Sequence, residues 1–166
     1  MTPEERTRIG RGGPYVQFKR SIVIRCPVDK AFDYISDWRN LKSFMSNILD
    51  IEPVTYVQYG PGAAFDTVFK VGGANIPTTL EVQEFVRDQR LILRSRQGLK
   101  VLGGWEFKPT TNGTSITFSL QYELPPGLVR TAKDKELIEK DFSEAASQSL
   151  QLLKWVLESP TIKGKD

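Results

Sequence analysis

IRCPVDKAFDYISDWRN, residues 24–40, changes hydrophobic period in mid-course, and that change decides the fold. Val28, Ala31, Phe32 and Ile35 recur at helical spacing, and Pro27, with its fixed φ and missing N–H, suits a helix start. A second short helical turn is expected around Leu41–Met45, with Asn40 as its N-cap. Upstream the period is two. Val16, Phe18, Ile22 and Ile24 share one parity and Gln17, Lys19, Ser21 and Arg25 the other, the pattern of a half-buried strand. Arg20 interrupts the apolar parity, which places it near a cavity mouth or strand end. A strand followed at once by two short helices is an uncommon arrangement.

Downstream, strand follows strand. Ile51–Gln58 runs into Gly60-Pro61-Gly62, and Ala64–Val71 stops at Gly72-Gly73. Ile76–Val86 sets Ile76, Thr78, Leu80 and Val82 against Thr79, Glu81 and Gln83. Arg90–Arg96 follows a turn at Asp88-Gln89, and Leu102–Lys108 leads to Thr114–Leu124 through Asn112-Gly113, a tight-hairpin signal. Short strands joined by tight turns imply an antiparallel meander. Lys133–Leu157 then lacks Gly and Pro and carries an apolar stripe of Ile138, Phe142, Ala145/Ala146, Ser149, Leu152/Leu153 and Val156. At ~1.5 Å per residue this helix is about 37 Å long, enough to cross the sheet. Its small middle (Ala145, Ala146, Ser149) implies space between helix and sheet.

The order strand, two short helices, six strands, long helix resembles the polyketide cyclase/dehydrase and lipid-transport family of the START-like (SRPBCC) superfamily. The residues carrying the resemblance are 24–40, GPGAAF (60–65), TLEVQEFVRDQRLILRS (79–95) and GGWEFKPTTNGTSITFSLQYELPPG (103–127). It implies an α+β helix-grip fold: a curved seven-stranded antiparallel sheet with a long C-terminal helix over a cavity. It also implies a hydrophobic ligand, since family members bind lipids, sterols, quinones, polyketides or hormones and only some are enzymes.

Composition narrows the chemistry. The 166 residues fit one domain, expected over 14–158, between a flexible leader (1–13) and a tail (159–166). The absence of histidine removes Ser-His-Asp and Cys-His catalysis and His-ligated zinc, and a lone Cys26 removes cysteine-rich metal sites. No metal and no cofactor are expected. The net charge of +3 is too small and dispersed for a nucleic-acid partner. No apolar run approaches the ~20 residues of a membrane span, and no secretory signal opens the chain, so no stable membrane insertion and a cytoplasmic setting are expected.

The parity reading puts Phe65, Thr67, Phe69, Thr78, Leu80, Leu93, Ser95, Trp105, Phe107, Phe118, Leu120 and Tyr122 on the concave face, with Phe142, Ala146, Ser149 and Leu153 from the helix. Apolar walls with a few hydroxyls are the composition of a small-molecule pocket, and also that of an ordinary core. No catalytic residue stands out; Tyr122 is the weak candidate. Glu84 shares the inward parity near a strand end, which with Arg20 makes it a candidate for a head group or gate, while Asp66, Glu81, Glu106, Arg94 and Arg96 read as solvated. Three functions fit: binding, transport or sensing of a small lipid-, polyketide- or isoprenoid-like molecule; an aromatase/cyclase or dehydratase moving protons through Tyr122, Thr78 or Ser95; or a quinone- or ribosome-associated interaction module. The shortage of titratable groups facing the cavity favours the first.

Overall fold

Gly113–Glu123 alternates strictly, with Thr114, Ile116, Phe118, Leu120 and Tyr122 buried and the residues between them half-buried. This strand, β7, is the template on which the sheet closes. The computed structural model describes residues 15–159, so the expected leader and nearly all of the expected tail lie outside the described residues. Its other strands are β1 (Tyr15–Ile24), β2 (Ile48–Pro53), β3 (Ala64–Val71), β4 (Ala74–Val86), β5 (Arg90–Gln97) and β6 (Val101–Thr110). The helices are α1 (Val28–Ser36), α2 (Trp38–Phe44) and α3 (Ala132–Glu158), with a 3-10 turn at Pro126–Leu128. All seven strands form one sheet in the order β1-β7-β6-β5-β4-β3-β2, and every pairing is antiparallel.

The first strand leaves the sequential meander and pairs with the last, from Tyr15↔Glu123 to Ile24↔Thr114. At that seam a Cβ on Gly113 would stand 2.1 Å from the Ile24 carbonyl oxygen, so only glycine lets the hairpin turn pass under β1.

The helices bury one face each. Ala31, Phe32 and Ile35 of α1 and Leu41 and Phe44 of α2 are buried. The N-cap of α2 is Asp37, not Asn40: its carboxylate accepts from the Arg39 backbone N–H at 3.0 Å, while the Asn40 amide donates to the Tyr34 carbonyl. A capping box of Thr131 and Asp134 starts α3, satisfying amides that would otherwise be orphaned. Ile138, Phe142, Ala146, Ser149, Leu150, Leu153 and Leu157 face the core, whereas Leu152 of the expected stripe is exposed and Ala145 and Val156 are half-buried. The helix lies against β1, β3 and α2, and Glu158 near its end accepts the backbone N–H of Arg25.

Two further expectations are corrected. The strand expected at Ile51–Gln58 runs instead over Ile48–Pro53; Val54 to Gly62 forms a loop in which Thr55 turns the backbone by bonding the Val57 carbonyl and the Ala64 amide. And β4 carries an irregularity between Val82 and Glu84, which reverses the alternation beyond it. Glu84 is therefore not inward: it pairs with Ile92 and bonds Arg90 at 2.8 Å on the outer face, while Phe85 meets Phe32 in the core.

Candidate functional site

The concave face is built by register. Thr67 lies opposite Thr78, Phe65 opposite Leu80, Leu80 opposite Ser95, and Trp105 opposite Phe118. Phe69, Leu93, Phe107, Leu120 and Tyr122 extend this face along their strands, and Phe142, Ala146, Ser149 and Leu153 approach from α3. All sixteen residues are buried except Leu93 and Ser95, which are half-buried. Aromatic side chains of α1 and α2 fill part of the grip: Phe44 meets Trp105 at 6.1 Å between ring centroids, and Phe32 meets Phe107 at 5.2 Å.

Most of the hydroxyls on this face serve the backbone. Thr67 donates to the Thr78 carbonyl at 2.7 Å. Thr78 donates to the Ile76 carbonyl and accepts from the Leu99 amide. Ser95 accepts from the Val101 amide, and Ser149 donates to the Ala145 carbonyl. Tyr122 differs. Its ring stacks on Phe142 at 4.1 Å, and its hydroxyl is buried with no hydrogen-bond partner among the described residues. Burial, and then the negative charges of Glu139 and Asp141, push this phenol well above its ordinary range, so it stays a neutral donor.

Beside these residues, where the β3–β4 and β5–β6 turns approach the segment after β7, lies an apolar hollow of about 560 Å3. Ala74, Ile76, Leu99, Leu124, Pro125 and Leu128 form its walls, with Gly98, Lys100 and Glu123 completing the lining. Lys100 and Glu123 pair at 3.4 Å. The turn that carries Leu99 depends on Gly98, which has φ +91° and no room for a Cβ, 2.2 Å from the Pro77 carbonyl oxygen. None of the sixteen sequence candidates lines this hollow, yet the signal was there. Ile76 and Leu124 continue the parities of Thr78 and Tyr122, and Leu99 is an apolar residue in an otherwise polar turn.

Arg20 lies where β1 meets α3. Its guanidinium sits 5.3 Å from the Phe18 ring centroid and donates to the Lys19 carbonyl and the Ser143 hydroxyl. Among the described residues no group of side chains could hold a metal ion, and no helix is long and apolar enough to cross a membrane.

The sequence profile of the polyketide cyclase/dehydrase and lipid transport family matches residues 15–158. The chain belongs to that family. Solved structures share the fold of this chain at low identity. A protein from Thermus thermophilus is 23% identical with a TM-score of 0.69, covering 85% of this chain and 94% of its own. A START superfamily protein from Mycobacterium smegmatis is 14% identical with a TM-score of 0.69, covering 86% and 97%. An aromatase/cyclase from a Streptomyces species is 12% identical with a TM-score of 0.67, covering 85% and 94%. No curated protein matches.

Proposed function

We propose that the chain binds a small hydrophobic molecule that enters through the hollow beside Leu99 and Leu124 and presents an acceptor oxygen to Tyr122. The observation that carries this reading is the Tyr122 hydroxyl, buried and without a hydrogen-bond partner among the described residues. A buried donor left unpaired costs about 1–3 kcal/mol, which a ligand oxygen recovers on binding. A ligand hiding ~300 Å2 of apolar surface would gain about 7 kcal/mol gross, before the cost of ordering it. The family and the solved structures of similar fold fit ligand binding or polyketide cyclisation.

Binding is favoured over catalysis by the hydroxyls. Thr78 and Ser95, the expected proton carriers, are engaged with backbone groups. Tyr122 holds its proton too tightly for an efficient acid near neutral pH. A cytoplasmic setting accords with a chain that carries a single cysteine, the buried Cys26.

The test is native mass spectrometry of freshly purified protein, joined to titration with N-phenyl-1-naphthylamine, a neutral hydrophobic dye. A co-purified small molecule, or saturable dye binding that a bulky Ala74→Trp substitution weakens, supports the reading. Neither a bound mass nor saturable binding would remove it.

A further inference from the structure

Arg20 is an odd residue for its position. It lies on the face of β1 that carries Phe18 and Ile22, opposite Phe118 of β7, where the alternation calls for an apolar side chain. It is half-buried, and its guanidinium forms no ion pair among the described residues: its hydrogen bonds reach only the Lys19 carbonyl and the Ser143 hydroxyl. Other arginines show the usual arrangement, Arg39 with Asp37, Arg87 with Asp33, Arg90 with Glu84 and Arg96 with Glu81. A guanidinium has five N–H donors in a fork that matches a carboxylate, so two neutral acceptors leave it under-used.

The second observation comes from α3. Phe142 covers Tyr122 and the next residue, Ser143, takes Arg20, so one turn of α3 touches both the cation and the unpaired buried hydroxyl, while the register sets Tyr122 opposite Val16 and Arg20 opposite Phe118. Both groups can donate, and the guanidinium cannot accept. Carboxylates do stand near: Glu139 and Asp141 act on Tyr122 through their charge, but Glu139 is paired with Lys135 at 3.6 Å, and Asp141 is exposed. A half-buried guanidinium held only by neutral acceptors beside an apolar grip suits a ligand whose polar end is negatively charged.

The geometry points to an acidic amphiphile as the ligand, with a carboxylate or similarly ionised oxygen group received by Arg20 where β1 meets α3. This rests on the ligand-binding reading above and names the substrate class of that site. Ser143 holds the guanidinium in place until the acid arrives, when the fork turns from one hydroxyl to two carboxylate oxygens.

The probes that test this are cis-parinaric acid, a fluorescent fatty acid, and its methyl ester, titrated into the full chain at neutral pH. Wild type is expected to bind the acid about tenfold or more tighter than the ester, the scale of a charge-assisted hydrogen bond. Arg20→Gln should bring the two probes together by weakening the acid alone, and Arg20→Lys should keep part of the preference. Ser143→Ala, which frees Arg20 without removing it, should hold the acid at least as tightly as wild type. Equal binding of acid and ester by wild type overturns the acidic head group and leaves the cavity standing. A preference that survives intact in Arg20→Gln overturns the assignment to Arg20. Should Arg20→Gln not fold, wild type and Arg20→Lys decide: a lysine variant matching wild type on the ester but weaker on the acid supports the assignment, and one with unchanged preference counts against it. Binding of neither probe removes the cavity reading and this inference together.

Discussion

Tyr122 keeps its proton where a solvated phenol would lose it, because burial and the charges of Glu139 and Asp141 oppose the phenolate. The unfolded chain gives up that proton near pH 10 and the native chain does not, so stability is fully present below about pH 10 and falls as pH rises beyond it. Tyr122→Phe should flatten this alkaline loss. Urea midpoints of the two proteins compared from about pH 8 to about pH 11 will show it, and parallel slopes would mean that the hydroxyl reaches solvent. At neutral pH the same substitution should cost little or even stabilise, since no hydrogen bond to a described residue is lost. Ser149 offers the complementary case. The sequence places space beside it, but the residue is buried with its hydroxyl on the Ala145 carbonyl, and the apolar hollow opens at Leu99 and Leu124 instead. Ser149→Leu is therefore expected to overpack and lower stability by ~1–3 kcal/mol in urea denaturation. Small residues in a helical stripe show where a side chain is short, and they do not show how close the facing strand comes.

Periodicity recovers the strands and the long helix because each buries one face, and burial writes its period into the chain. It fails where one residue is added or where a loop is made of strand-forming residues. The irregularity between Val82 and Glu84 is such an addition, and every side chain beyond it changes face. Val54, Tyr56, Val57 and Tyr59 are β-branched or aromatic, yet they sit exposed in a loop because Thr55 bends the backbone at the end of β2. The caps of α3 are local chemistry and can be tested locally. Thr131→Ala removes the hydroxyl that accepts the Asp134 amide and should lower stability by about 1 kcal/mol, read from the urea midpoint. In the same helix Leu153 is fully buried, so Leu153→Asp should cost several kcal/mol and yield insoluble protein. A soluble, cooperatively folding Leu153→Asp would mean that α3 does not lie in the grip.

Among the described residues the sheet ends in two edge strands, and both come from the first part of the chain. β2 closes one side and β1 the other, with the five strands between them contributed by residues after the β2–β3 loop. The β2 edge is short and carries exposed Asp50 and Glu52 with Pro53 at its end, features that discourage pairing with another chain. Tyr56 in the loop between β2 and β3 is fully exposed, an inviting place for chymotrypsin to cut. A single cut there divides the chain into residues 1–56 and 57–166, and the first piece holds the second from both sides like a clasp. The nicked protein should show two bands on a denaturing gel while eluting from a sizing column as one particle of unchanged volume. Two genes encoding the halves should then reconstitute the whole when co-expressed, making this peptide bond a natural place to split the protein into a two-part reporter of its own assembly.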